Sequence, residues 1–255
     1  MGMHVIQSIK GTISKHCREL KVKRAYVGYI YSSVQLENQA TGVAFTFPNR
    51  EHCRHGLLES GKPLRGRNAC ELTSLLGGRD LLASSVALAA VNAVIQSEQL
   101  SEEAQPGDIL DELDIRPGDQ ACMVGCFQPL IKQLESRQVQ VIVFDEAPKP
   151  GLHRPEELAD VLKKSQIAIV TATSIINNTI EHVLELAKSC REIAVLGPST
   201  PLLVSVFRET PVTCLSGIHI VEAESVQHII GEGGGFRDFK HHVKKQNIRI
   251  RDPAE

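Results

Sequence analysis

Residues 121–148 read ACMVGCFQPLIKQLESRQVQVIVFDEAP, and this stretch decides the fold. An apolar run, Ala121 to Phe127, gives way at Gln128-Pro129 to a helical segment, and a second apolar run, Val139 to Phe144, ends at Asp145. Runs that are apolar throughout, rather than alternating, belong to strands buried on both faces, as in a parallel sheet between helical layers. Pro129 falls where a first helical residue tolerates a missing N–H and a fixed φ. The pattern recurs downstream in Ile167 to Val170, Ile193 to Leu196 and Val212 to Leu215, with Pro155 and Pro201 at further expected helix starts. Asn178 and Glu181 have capping-box spacing ahead of Val183, Leu184 and Leu186. A last helix is expected over 223–230, ended by the glycines that follow. The basic tail from Arg237 to Arg251 reads as a solvated helix face, with anion contact as the alternative. Together these signs predict a Rossmann-like α/β fold.

Upstream the pattern differs. Val5, Ile6, Ile9, Ile13, Cys17 and Leu20 recur at helical spacing and predict an opening amphipathic helix. The segment Ala25 to Leu36 and the alternation of Val43, Phe45 and Phe47 predict a strand meander turning at Asn38 to Gly42, and 48–68 reads as loop. Ala- and Leu-rich residues from Glu71 to Ile95 predict a short and a long helix separated by Gly77-Gly78. Strands followed by helices make an α+β module. Two turn signals, Pro106-Gly107-Asp108 and Pro117-Gly118-Asp119, punctuate an acidic linker. The expected division is therefore 1–105, α+β, and 106–255, Rossmann-like.

The 255 residues carry 42% hydrophobic and 23% charged residues and a formal charge of −2, which indicates a globular chain with no electrostatic drive toward nucleic acid. No signal-like start and no uninterrupted membrane-length apolar run is read, since Ser84, Ser85 and Asn92 break the segment Leu81 to Ile95. Seven scattered cysteines fit free thiols in a reducing compartment. The expectation is a cytoplasmic protein with a small-molecule ligand and no nucleic-acid or membrane partner; a homo-oligomer is compatible with it.

In an open parallel sheet the loops leaving the carboxyl ends of the strands converge on one rim. Four such loops carry the candidate ligand residues: Gly125, Phe127 and Gln128; Asp145 and Glu146; Thr173, Ser174, Asn177, Asn178 and Thr179; and Gly197, Pro198, Ser199 and Thr200. Asp145 follows Gly125 by twenty residues, the spacing at which an acid reaches ribose hydroxyls, although the single glycine of the first loop does not suit a dinucleotide. A strand-end carboxylate is the alternative for Asp145 and Glu146. The hydroxyl and amide groups of 173–179 can orient a polar ligand, while Asn178 by itself reads first as a helix cap. Ser199 and Thr200 read equally as an anion site or as a cap. Asn92, with Tyr31 and Glu37, could face a cleft between the two parts; for Asn92 a hydrogen bond within the helix packing is the alternative. The tight cluster His52-Cys53-Arg54-His55 lacks a second ligand pair at metal-site spacing. Cys122 and Cys126 read as buried small hydrophobes, with Cys126 able to reach the rim as a thiol.

The strings Val124-Gly125-Cys126-Phe127-Gln128-Pro129, Thr173 to Thr179, Leu196-Gly197-Pro198-Ser199-Thr200-Pro201-Leu202 and Gly233-Gly234-Gly235 resemble, in this order, a family described as putative heavy-metal chelation proteins. With Val27-Gly28 through Val34 and Ala89 through Ala93, the resemblance covers nearly the whole chain. It implies an enolase amino-terminal-like module joined to a Rossmann-like domain, with a shared site between them. It also implies heavy-metal chelation, or condensation or hydrolysis of pterin-, flavin- or siderophore-like molecules. On that basis the first expectation is a small metal-chelating molecule in the cleft, with a metal ion or metal chelate as its associated cofactor. The alternatives are a methyltransferase-like enzyme using an S-adenosylmethionine-like nucleoside, a protein binding metal directly through His52, Cys53 and His55, and a non-catalytic subunit of an assembly. No catalytic residue is assigned.

Overall fold

The computed structural model describes residues 3–47, 63–101, 103–145 and 155–252. Helix α1 (Val5–Ile13) buries Val5, Ile6, Ile9 and Ile13, the one-sided spacing of an amphipathic helix. It stops before Cys17, which is joined to Cys70 by a disulfide. The free-thiol expectation therefore fails for these two cysteines; Cys122, Cys126, Cys190 and Cys214 are free. Their pairing needed the meander to fold the chain back on itself, which spacing does not encode.

Strands β1 (Val22–Val27), β2 (Tyr31–Leu36) and β3 (Thr41–Phe45) form an antiparallel sheet in that order. The single run expected from Ala25 to Leu36 is split at Gly28, whose N–H donates to the Tyr31 carbonyl. Helix α2 (Ala69–Thr73) is capped by Asn68, and α3 (Leu81–Ser97) by Asp80, whose carboxylate accepts from the N–H groups of Leu82 and Ala83. Between Ser84 and Ile95 every residue of α3 except Asn92 is buried, so this helix is enclosed on almost all sides. Gly42 explains part of that: a Cβ there would lie 2.2 Å from the Ala89 carbonyl oxygen and 2.2 Å from the Ala93 nitrogen. Only glycine lets β3 lie so close to α3.

After α4 (Ile109–Glu112) come β4 (Gln120–Val124), α5 (Gln128–Ser136), β5 (Gln140–Phe144), α6 (Leu158–Lys164), β6 (Ile167–Thr171), α7 (Thr173–Ile176), α8 (Ile180–Leu186), β7 (Glu192–Leu196), α9 (Val204–Phe207), β8 (Cys214–Ile220), α10 (Ala223–Gly231), α11 (Phe236–Phe239) and β9 (Val243–Arg249). The sheet order is β5-β4-β6-β7-β8-β9, parallel except for β9. Each central strand divides its side chains between two cores. Cys122, Ala168, Val170, Ile193, Val195 and Leu215 join the core that contains α1 and α3, whereas Ala121, Met123, Ile167, Ile169 and Ala194 pack with Ile109, Leu110 and Leu134. That two-sided burial is why the strands read as continuous apolar runs. The fold is α/β, with a mainly parallel sheet and a smaller antiparallel one.

Three local expectations are corrected. The basic tail is not a helix face over its length: after α11 and one 3-10 turn it forms β9, where Leu215 opposite Ile248 and Ser216 opposite Asn247 hold it to β8. Pro201 does not begin a helix, because α9 starts only at Val204. Asn178 is not the cap of α8; it takes a left-handed φ of 62°, and Thr179 holds the cap position. Glu181, freed from a capping box, instead accepts from the Ile6 N–H at 3.4 Å. Pro129 sits in the first turn of α5 and Pro155 opens the 3-10 turn before α6, as the sequence leads one to expect.

Candidate functional site

The strand order places β4 between β5 and β6, so the connection leaving β4 runs to one side and the one leaving β6 runs to the other. Such a divergence opens a crevice at the carboxyl ends of the two strands. Gly125 stands at that point with φ 95°, and a Cβ on it would lie 2.8 Å from Thr171 Cβ and 3.5 Å from the Phe127 ring. Gly197, at φ 120° on the loop after β7, would place a Cβ 3.8 Å from the same ring. The half-buried Phe127 thus reaches from the β4 loop across the end of β6 to the β7 loop. Gly125 N–H donates to the Phe144 carbonyl at 2.7 Å, which brings the start of the β4 loop against the end of β5, where Asp145 follows.

Around this ring the polar groups are ordered by local bonds. Thr171 Oγ1 and Thr173 Oγ1 are 3.0 Å apart, and the Thr173 N–H donates to Thr171 Oγ1 at 3.3 Å. The Gln128 amide donates to Cys126 Sγ at 3.2 Å. Ser174 is buried and its hydroxyl donates to the Thr171 carbonyl at 2.6 Å, so it braces the loop. Asn177 Oδ1 accepts from the Thr179 N–H and hydroxyl, a turn of its own. Asn178 and Thr179 are exposed.

The remaining candidates lie on the seam between the two parts of the chain. Asn92 Nδ2 donates to the carbonyls of Val43 at 2.9 Å and Ser199 at 3.1 Å, and the Phe45 N–H donates to Ser199 Oγ at 2.9 Å. Thr200 Oγ1 donates to the Gly197 carbonyl at 2.8 Å. Ser199 and Thr200 are buried; Ser199 and Asn92 join β3 and α3 to the rim, while Thr200 closes its own turn on Gly197. The seam retains a cavity of about 20 Å³ bordered by Asn92, Gln96, Pro198, His219 and Gln246, room for about one water molecule. Tyr31 is enclosed by edge-on contacts with Phe45 and Phe239, and burial pushes its phenol up so that it stays protonated. Glu37 is exposed at the β2–β3 turn. Glu146, His52, Cys53 and His55 lie outside the described residues.

The predicted residues therefore separate into a rim group, Gly125, Phe127, Gln128, Asp145, Thr173 and Gly197, and a seam group, Asn92, Pro198, Ser199 and Thr200. Thr171, which opens the rim loop read in the sequence, belongs with the first although it was not among the ligand candidates. Ser84 was missed: its hydroxyl donates to the Ile176 carbonyl at 3.1 Å and ties the start of α3 to the β6 loop. Burial raises the Cys122 and Cys214 thiols to about 12 and that of Cys190 to about 11, which keeps them protonated. Among the described residues no three His, Cys, Asp or Glu side chains form a group able to hold a metal ion.

A family model described as "putative heavy-metal chelation" matches residues 108–249, and a second with the same description matches 12–95. The chain belongs to this family, described as putative heavy-metal chelation. An uncharacterised protein of Methanocaldococcus jannaschii is 24% identical over 268 residues, covering 98% of this chain and 100% of the other. Two crystal structures of DUF364-family proteins with unknown function share the fold. That from Pyrococcus horikoshii aligns with a TM-score of 0.85 and 21% identity over 97% of this chain and 100% of its own. That from Desulfitobacterium hafniense aligns with a TM-score of 0.82 and 20% identity over 96% and 98%. The two matches leave out only 96–107 between them, and the rim and seam residues all fall within the matched regions. Among the described residues no helix is long and apolar enough to cross a membrane.

Proposed function

We propose that the protein binds, and acts on or delivers, a small metal-chelating molecule of planar, heterocyclic type at the carboxyl rim of the parallel sheet. The observation that carries this reading is the Phe127 ring lying beside both Gly125 and Gly197 at the switch point. A flat aromatic face flanked by two residues without side chains suits stacking by a flat ligand. Thr173 and Gln128 supply hydroxyl and amide groups to orient it, and Asp145 a carboxylate for its hydroxyl or amine groups. In this reading the metal arrives as part of the ligand, in keeping with the lack of a protein ligand cluster among the described residues. Native mass spectrometry of freshly purified protein tests it. Wild type should carry a low-mass adduct that is lost on denaturation, and Phe127→Ala should carry less or none. Bare polypeptide mass for wild type, with no adduct recovered on adding cell extract, would remove the basis for the proposal.

A second reading, a nucleoside-cofactor enzyme, is favoured by one observation: Asp145 directly follows β5, the strand beside β4 and its glycine turn, where a carboxylate meets a ribose. Titration calorimetry with S-adenosylmethionine on wild type and Asp145→Ala separates the readings. Binding by wild type that the variant loses selects the nucleoside; no heat with either protein discards it.

A further inference from the structure

The disulfide between Cys17 and Cys70 fastens the turn after α1 to the start of α2 and closes a 53-residue separation. Cys17 has no exposed surface while Cys70 is half-buried, so an attacking thiol approaches from the Cys70 side. Lys10 Nζ donates to the Leu76 carbonyl at 3.2 Å, holding α1 to the end of the α2 segment. From there the Gly77 N–H donates to Ser84 Oγ at 3.1 Å, and Ser84 Oγ donates to the Ile176 carbonyl. A continuous series of contacts thus runs from the disulfide to the loop after β6, the loop that carries Thr173. Of the other described cysteines, Cys122, Cys190 and Cys214 are buried thiols, held in the protonated form that does not take part in exchange.

We propose that the Cys17–Cys70 disulfide is a redox switch that sets how firmly the α1–α2 block supports the β6 loop. A thiolate of a dithiol reductant attacks Cys70 Sγ, breaks the S–S bond and releases Cys17 as a thiolate. The reductant's second thiol then attacks the mixed disulfide, leaving as a cyclic disulfide and releasing Cys70, so that the two electrons pass from reductant to protein. Exchange with glutathione disulfide reverses the change. Because the closed loop is long, its release frees much chain entropy in the unfolded state. Reduction should lower Tm by roughly 5–10 °C and raise deuterium uptake both in 69–78 and in 174–179.

The test equilibrates the whole wild-type protein in glutathione buffers of graded potential, blocks thiols, and maps cysteine peptides alongside melting and deuterium uptake. A linked Cys17–Cys70 peptide at oxidising potentials, replaced by blocked thiols as Tm falls and uptake rises in both segments, supports the switch. A Cys17→Ala/Cys70→Ala variant should then match the reduced protein in every buffer; if it fails to fold, the wild-type titration decides alone. The proposal is overturned by a pair that stays reduced at every potential, by pairing of either cysteine with Cys53, or by a bond whose reduction leaves uptake in 174–179 unchanged.

Discussion

Arg249 and Glu192 meet side by side across β8: Nη1 donates to Oε2 and Nη2 to Oε1, each at 2.8 Å. Glu192 has no exposed surface, and it also accepts from the Asp114 N–H at 2.8 Å and from the Thr213 hydroxyl. Arg191 extends the set by pairing with Asp119 at 2.6 Å. All of this lies at the amino ends of the strands, opposite the rim. It ties β9 and the linker to β7, which is a structural task.

Glu192→Ala should therefore destabilise the fold by about 3 kcal/mol or more, since it leaves a guanidinium and two further donors without their acceptor. The Glu192→Ala/Arg249→Ala double variant should lose less than the sum of the single losses. Urea denaturation of the four proteins measures both, and ligand retention should be unaffected in whatever fraction remains folded.

At the seam, Asn92→Ala removes two hydrogen bonds from a largely enclosed amide and should cost about 2 kcal/mol. Ser199→Ala, which strips the acceptor from the Phe45 N–H, should cost about 1 kcal/mol. Because both residues act on the same stretch of loop, a double-mutant cycle should show coupling; strict additivity would mean that the two contacts hold the seam independently.

Gly42→Ala should prevent the native packing of β3 on α3, since the added carbon would meet backbone atoms that cannot rotate away. A loss above about 3 kcal/mol, or recovery only as insoluble protein, is expected. Soluble expression with a wild-type melting curve would show that the strand and helix are not so close.

His219 gives a pH dependence with a definite sign. Burial, aided by the neighbouring Lys244 charge, lowers its pKa below the ordinary value of 6.5. Above pH 6.5 the imidazole is neutral in both folded and unfolded chains. Below it the unfolded chain takes up the proton first, so stability falls as pH drops from 6.5 toward the lower folded value. His219→Gln should flatten that part of the pH–Tm curve, and unchanged slopes would refute the assignment.

The parallel strands were legible because burial on both faces leaves a composition signal in each strand. The Phe127 to Gly197 approach was not, although both residues were singled out, because it joins loops that are far apart in the chain. Seam residues Ser199 and Thr200 look in sequence like an anion-binding turn, and only the partners of Ser199 in β3 and α3 reveal a fastening. Asn178 failed as a cap because asparagine also tolerates a left-handed φ, and the turn after α7 used that property instead. β9 was hidden by its charges: Lys244 and Lys245 stand exposed while Ile248 and Asn247 are covered, a pattern that an outer strand and a solvated helix share.

The near-complete enclosure of α3 limits how the molecule can admit a guest. Pulling the antiparallel sheet away from the parallel one would uncover apolar surface of α3 and of the core it shares with the parallel strands, so a clamshell opening would be costly. For the ligand proposed at Phe127, entry would then come from small displacements of the rim turns, with the body of the protein serving as a fixed base. Severing the chain at the linker would expose the same surface, and the amino-terminal fragment should be recovered as aggregate unless supplied with its other half.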